Sequence, residues 1–420
     1  MNRSIVVLMA DQLGAHALGE DHIDAPWLRM MAERGVNYEH AYCSFPLCTP
    51  SRSSMMTGLM PHEMGVMGNQ HDRHVGRSPH SLGHWFREHG YATVWAGKYH
   101  TPGPDGDPES GFDVIHPFGD HGLAEAIGAW LGDAPSDRPF LLVASWDDPH
   151  SICEFARGQH QPYGDVAPRP VRDCPPLPVS HSLPIPEALA NHKATAAHMY
   201  GTNGYTTDDW RRYRDAYGQL VERIDDQWSR LWHQLEAMGV TVVITSDHGD
   251  GDAAHGWNQK TALFQECIRV PLIIAGPAIE AESVGRAVNM STGLLGSLCR
   301  LAGIPRPPGV PDWERDEPVV VETRFSTGSG WTDGRAVVDP PWKYVVYAWG
   351  REREQLFNLD DDPGETRNLA LESRFDDQLE RCRRTLFEWC ERTGDTAMLR
   401  KLIWPAEASA RTAELFDPPY

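Results

Sequence analysis

Four groups of titratable residues stand where a short apolar run gives way to polar sequence. Asp11 and Gln12 follow SIVVLMA (4–10), and Lys98 and His100 follow YATVWA (91–96). Asp147, Asp148 and His150 follow FLLVASW (140–146), and Asp247 and His248 follow VTVVIT (240–245). Asp11, Asp247 and His248 are residue types that gather round a hard divalent cation, which takes carboxylate oxygens from several loops. A lone strand-end Asp is as often a turn former, but in TSDHGD the adjacency of Asp247, His248 and Gly249 favours a built site. Gln12 can add an amide oxygen or face solvent, and Asp250 and Asp252 read as loop polar groups. In AGKYHTPG, Lys98 and His100 are two apart, so an extended backbone would set an ammonium beside an imidazole, a pair able to bind an anion and move a proton. A surface Lys beside an unrelated His is the plainer reading of that fragment. His150, in WDDPHSICEF, and Lys260, in HGWNQKTALFQE, can each steady a leaving group or be ordinary loop residues. His255 is a weaker candidate for substrate contact.

The stretch FPLCTPSRSSMMTG (45–58) raises a separate question. Cys48 opens a predicted helix with Pro50 in its first turn. The positive end of a helix suits an anion or a thiolate, and Arg52 adds a fixed charge one turn in. A thiol nucleophile with a His base and a buried inert cysteine both fit Cys48, and neither accounts for Pro50 and Arg52 together.

These residues need a scaffold that brings four chain segments to one place. The apolar runs read as buried parallel strands, continuous rather than alternating. Helices are predicted between them: one from Asp24, as N-cap, through Arg34 to Gly35, and one over Ser81–His89. Tyr213, Tyr217, Leu220, Ile224, Trp228, Leu231, Leu235 and Met238 mark a long amphipathic helix that Gly239 ends. Val270–Ala275 is a further strand. The alternation predicts an α/β fold, a large mixed, mainly parallel sheet flanked by helices, with ligands beyond the carboxyl ends of its strands. Residues 148–206, rich in Pro, Gly and His, are expected to be a long functional loop. After Pro311 the pattern changes to short strands over Val319–Glu322, Arg335–Val338 and Lys343–Ala348 and a helix over Arg374–Arg392. The expected organisation is a catalytic α/β domain over 1–311 and a C-terminal α+β subdomain over 312–420.

The formal charge of the 420-residue chain is −21, with no basic run, which speaks against a nucleic-acid partner or an anionic membrane surface. A small anion can still enter a locally basic pocket, because distant charges are screened within about 10 Å. No segment has membrane-spanning length, and the apolar run after Met1 is too short for a leader, so a cytoplasmic location is expected. The eight cysteines lack zinc-site spacing and are expected to be reduced thiols.

C-T-P-S-R (48–52) is similar to the maturation signature of type I sulfatases, in the alkaline phosphatase superfamily: Cys or Ser, any residue, Pro, Ser or Ala, any residue, Arg. The resemblance extends through TGLMPHEMGV, VVLMADQ, GKYH, DPH, SDHGD, RVPLIIAGP and QLFNLDDDPGETRNLA, nearly the whole chain. It implies that a formylglycine-generating enzyme converts Cys48 to Cα-formylglycine, whose hydrated aldehyde attacks sulfur and later expels sulfate. It implies that Asp11, Asp247 and His248, with Gln12, hold a divalent cation, calcium in most members, with magnesium or manganese as alternatives. By the same resemblance Arg52 steadies the nucleophile, Lys98 and Lys260 contact sulfate, His100 is the base and His150 the leaving-group acid. His150 is thereby also a substrate contact, and His255 stays a weaker candidate for one on the residue reading alone. The sequence departs from the family where Gln12 replaces a second Asp and His248 an Asn.

The expected activity is hydrolysis of a sulfate ester on a small sulfated carbohydrate. GKYHTPGP and DDPHSICEF are similar to N-sulfatases, so a sulfamate substrate is a second form of this expectation. A phosphodiesterase or phosphonate monoester hydrolase on the same scaffold is the alternative within enzymes. A non-catalytic binder of sulfated sugar is the alternative outside them.

Overall fold

The computed structural model describes residues 3–69, 80–101, 110–277, 279–328 and 330–402. Its strands are β1 (Ile5–Asp11), β2 (Val36–Tyr42), β3 (Ala92–Gly97), β4 (Asp113–His116), β5 (Phe140–Pro149), β6 (Thr241–Ser246), β7 (Leu272–Ala275) and β8 (Glu282–Asn289). Four more, β9 (Val319–Ser326), β10 (Trp331–Asp339), β11 (Trp342–Tyr347) and β12 (Glu354–Asn358), follow.

The first eight form one sheet in the order β4-β3-β5-β1-β6-β7-β2-β8. Its centre is parallel: β1 pairs in parallel with β5 on one side and β6 on the other, and β3 pairs in parallel with β5 and β4. Only β7 runs against its neighbours, β6 and β2. All seven residues of β1 and all six of β6 are buried, as strands covered on both faces must be. Val6, Leu8 and Ala10 of β1 pack on one side with Leu220, Ile224 and Trp228. Ile5, Val7 and Met9 pack on the other with Leu294, Leu295 and Leu298. The expected α/β architecture is therefore present, with one antiparallel strand inserted.

The long helix runs Thr207–Met238, and Gly239 closes it at φ 66°. It begins six residues before Tyr213, because Thr206 and Asp209 form a reciprocal cap that the apolar periodicity does not register. The first helix, Pro26–Arg34, is not capped by Asp24. Its N-cap is Ala25, and the orphan N–H groups of Trp27 and Leu28 donate to the Asp225 carboxylate at 3.2 and 2.7 Å. Residues 148–206 are not one structureless loop. They contain helices Ile152–Ala156, Glu187–Thr195 and Ala197–Tyr200, the second burying Ala188, Leu189 and His192.

The second sheet is antiparallel, in the order β12-β11-β10-β9, and the Asp376–Thr393 helix packs on it through Leu379, Leu386, Phe387 and Trp389. It also grips the first sheet's loops: Glu322 N donates to Ser44 O at 2.8 Å, and Thr323 Oγ1 to Thr261 O at 2.6 Å. Among the described residues, no helix is long and apolar enough to cross a membrane.

Candidate active site

Asp11 is the last residue of β1, Lys98 follows β3, Asp147 lies near the end of β5, and Asp247 and His248 follow β6. These four strands are neighbours in the sheet, so their carboxyl ends meet in one place. The turn after β6 requires a glycine, because a Cβ on Gly249 would sit 1.9 Å from the Glu266 carbonyl oxygen. Opposite the strand ends lies helix Cys48–Thr57, with all ten residues buried. It packs along helix Met290–Ala302, and Ser51 Oγ donates to the Asp247 carbonyl at 2.6 Å.

Arg52 is the hub. Its Nε donates to Asp247 Oδ2 at 2.6 Å and its Nη2 to Asp11 Oδ2 at 3.2 Å. Nη1 donates to the Lys98 carbonyl at 2.8 Å and to Ser145 Oγ at 2.9 Å. One guanidinium thus spans four segments, a task its rigid fork suits. Lys98 Nζ lies 2.8 Å from Asp11 Oδ2 and 2.7 Å from Asp147 Oδ1. Burial opposes ionisation of Asp11, but Lys98 and then His150 and Arg52 outweigh it and hold the carboxyl well below its usual range. At Asp247 burial prevails over Arg52 and raises it.

The Cys48 sulfur sits over this cluster. Lys260 Nζ is 3.2 Å from it, His248 Nε2 3.3 Å and Asp11 Oδ1 3.7 Å. Burial and Asp11 push the thiol up, but Lys260, Lys98 and His248 together carry it well below its ordinary value. All eight cysteines are unpaired and buried, and at the other seven burial raises the thiol. Cys48 is thus set apart by its neighbours, not by its exposure.

Asp11, Cys48, Asp247 and His248 each present one ligand atom, all within 4.8 Å of one another. Arg52 and Lys98 occupy Asp11 Oδ2, and Arg52 occupies Asp247 Oδ2. Oδ1 of Asp11 and Oδ1 of Asp247 lie 3.7 and 3.8 Å from His248 Nε2. His248 Nδ1 donates to the Gly249 carbonyl at 2.9 Å, so Nε2 is the nitrogen that faces the cluster; burial opposes its protonation, but Asp247 and Cys48 outweigh burial and raise the imidazole above its ordinary value, so a cation would take Nε2 in place of that proton. Two carboxylate oxygens and an imidazole nitrogen converge in a shape a divalent cation fits.

The other sequence candidates are placed as follows. Gln12, at φ 74°, turns its amide toward Asp250 Oδ2 (2.7 Å from Nε2) and Cys153, whose Sγ is 3.8 Å from Oε1. His150 is half-buried and acts electrostatically on both Asp11 and Asp147. His100 has φ 50°, so the segment after Lys98 is turned rather than extended and does not set the two side chains in parallel. GKYHTPGP continues into residues 102–104, which lie outside the described residues. His255 stacks on Phe264 with ring centroids 4.2 Å apart, and its charged neighbours are Glu365 and Lys343. Its contacts lie at the seam with the second sheet, not with Cys48.

Asp250 and Asp252 lie in the loop after β6, as expected, but both are buried and paired rather than solvated. Asp250 is fully buried and accepts from Gln12, Tyr213, the Asp252 amide and the Gln259 amide, and burial raises it to about 7. Asp252 pairs with Arg214 at 3.0 Å. Ser145 and Tyr163 escaped the sequence reading; Tyr163 donates to Asp147 Oδ2 at 3.0 Å. Only the position of Ser145, two residues before a strand-end Asp, hints at its role.

The family model for sulfatases matches residues 3–120 and 116–304. A Delta 4,5-hexuronate-2-O-sulfatase of Bacteroides thetaiotaomicron is 31% identical over 87% of this chain and 83% of that protein. A choline-sulfatase of Rhizobium meliloti is 28% identical over 88% of this chain and 83% of that protein. A crystal structure of a candidate sulfatase from Bacteroides thetaiotaomicron superposes with a TM-score of 0.83 at 26% identity, covering 97% of this chain and 96% of that one.

Proposed function

Because the chain belongs to the sulfatase family of the alkaline phosphatase superfamily, and is a sulfuric ester hydrolase, we propose that it removes sulfate from a small sulfated carbohydrate. In this reading a formylglycine made from Cys48 by a maturation enzyme is the nucleophile. One observation carries the proposal: Cys48 at the start of a buried helix, with Lys260, His248 and Asp11 around its sulfur and Arg52 one turn away. The sulfur stands in for the oxygens of the hydrated aldehyde. A reactive thiol would not need two lysines and two carboxylates about it, whereas a nucleophile attacking an anion does.

Asp11, Asp247 and His248 fit a divalent cation; Gln12 would join them only by turning its amide oxygen from Cys153, its weak partner in this structure. Calcium suits the oxygen-rich set, with magnesium or manganese as alternatives. When bound, the cation supplies Lewis-acid activation of the nucleophile. Arg52 holds Asp11 and Asp247 in register and helps to keep Asp11 ionised. Lys98 and Lys260 are assigned to the sulfate oxygens, where fixed positive charge in a dry site stabilises the transferring group. His150 is assigned to protonate the leaving oxygen and His100 to take a proton as sulfate departs. His255 remains a more distant substrate contact.

The relatives named above act on a hexuronate and on choline sulfate. Lys260, Lys98 and Arg52 gather about the nucleophile, which fits a sulfated sugar acid better than a cationic ester. Matured protein is expected to release sulfate from defined O-sulfated saccharides faster than from N-sulfated ones, and C48A to release none. Faster turnover of an aryl phosphate diester than of the matched aryl sulfate would instead favour a diesterase.

A further inference from the structure

Asp147 poses a problem of charge. Lys98 is assigned to a sulfate oxygen, yet its Nζ already lies 2.7 Å from Asp147 Oδ1 as well as 2.8 Å from Asp11 Oδ2. A carboxylate beside a sulfate-binding ammonium repels the substrate anion, and burying it costs desolvation. Asp147 is only 5% exposed. Lys98 does not need it for anchorage, because its backbone N–H donates to the Ser145 carbonyl at 2.9 Å and its own carbonyl accepts from Arg52. Nor does it need it for charge, since Asp11 alone would pair the ammonium. A second carboxylate therefore calls for a role in placing that ammonium.

Both carboxylate oxygens and the backbone N–H of Asp147 are held. While Oδ1 takes Lys98, Oδ2 accepts from the Tyr163 hydroxyl at 3.0 Å. Burial and Asp147 itself push the Tyr163 phenol up, so it stays a donor. The Asp147 N–H donates to Asp120 Oδ1 at 2.7 Å, and the Asp148 N–H to Asp120 Oδ2 at 2.9 Å. Asp120 belongs to the turn after β4 and Tyr163 to a distant loop, and the two are joined. His121 Nε2 donates to the Pro162 carbonyl at 3.0 Å, and its ring meets Tyr163 at 5.5 Å. Phe118, an exposed residue of the same turn, has its ring centroid 5.7 Å from Lys98 Nζ. Asp148, next in the chain, pairs instead with Arg223 of the long helix at 2.9 Å.

We infer that Asp147 is a positioning residue for sulfate transfer: fixed by Tyr163 and Asp120, it holds the Lys98 ammonium between itself and Asp11, with the remaining N–H toward the sulfate oxygens. The inference rests on the sulfatase reading above, which gives Lys98 its sulfate contact. An ammonium has three donors, so two carboxylates leave one for the substrate. With Asp11 as its one partner, a flexible four-carbon stem would pivot about a single contact, whereas two partners define its direction. Asp147 thus gives up affinity for the anion and gains orientation at the transferring group, where fixed charge counts most.

The test follows aryl sulfate turnover by matured, cation-loaded protein, and the binding of inorganic sulfate by calorimetry. In Asp147→Asn, kcat is expected to fall about ten- to a hundredfold, the scale of a misplaced group. Sulfate is expected to bind that variant about three- to tenfold tighter, because a repelling charge is gone. Tyr163→Phe loses only a hydroxyl from a half-buried side chain. It is expected to lose about three- to tenfold in kcat, with KM and the thermal midpoint held. In the double variant Tyr163→Phe should add nothing to Asp147→Asn, because Tyr163 acts through Asp147. An unchanged kcat in Asp147→Asn overturns the inference. Weaker sulfate binding beside the lower kcat does the same, since that is what a merely loosened site would give, and so do losses that multiply in the double variant. Should Asp147→Asn not fold, Tyr163→Phe decides alone: a kcat equal to wild type, or a loss confined to KM, ends the proposal. Wild type that releases no sulfate from any ester would discard the sulfatase reading by itself. In that case tighter sulfate binding in Asp147→Asn would keep the link from Asp147 to Lys98, and equal binding would discard it.

Discussion

Arg52 holds together carboxylates that would otherwise repel each other. Asp11 and Asp247 are fully buried, and Arg52 is the guanidinium bridging them. Removing one member of a buried ion cluster leaves uncompensated charge, at a cost of about 3–5 kcal/mol. Arg52→Ala is expected to lose stability on that scale in urea unfolding, and Arg52→Lys to lose less while still failing in activity. Equal stability of Arg52→Ala and wild type would show that the carboxylates are neutral. The sequence marked Arg52 as a fixed charge near a helix start, but its partners are far along the chain: Asp247 is 195 positions away and Ser145 is 93. Asp250 was misread for the same reason. Its acceptors' partners, Gln12 and Tyr213, come from β1's end and the long helix, which no local pattern connects to a Gly-rich loop.

At the scale of elements, the junction between the two sheets carries a proton-dependent contact. His62 follows the Cys48–Thr57 helix, and its Nδ1 lies 2.5 Å from Glu322 Oε1 on β9. Its ring also meets Trp389 at 5.3 Å, and Asp395 and Arg335 lie close enough to act on its charge. Burial disfavours the imidazolium, but the Glu322 hydrogen bond and charge outweigh it and raise His62 above its ordinary value. A raised folded pKa gives stability that is fully present below the unfolded value of about 6.5 and lost as pH rises through the folded one. His62→Gln should therefore cost more stability at pH 6 than at pH 9. A constant difference across that range would remove the ionic contact from the account. The elements that build the site were legible because a strand covered on both faces is written as an unbroken apolar run. β2, β8 and helix Met290–Ala302 were not. β2 carries Asn37, Glu39 and His40 within seven residues, and β8 is half exposed, so neither shows a clean period.

Over the whole molecule, a net charge of −21 surrounds a cluster where Arg52, Lys98 and Lys260 converge. The second sheet braces that cluster from outside: Lys343 Nζ donates to the Leu263 carbonyl at 2.5 Å, three residues beyond Lys260. The order of the central strands β1, β3, β5 and β6 could be read from the chain, but this bracing could not, because it depends on how two sheets dock. The central claim is that Cys48 is the precursor of the nucleophile and not the nucleophile itself. Peptide mass spectrometry of protein co-expressed with a formylglycine-generating enzyme tests it directly. The predicted result is that the peptide bearing Cys48 carries an aldehyde in place of the thiol, and that sulfate release scales with the aldehyde fraction. A peptide that keeps its thiol in protein that fully hydrolyses sulfate ester would contradict it.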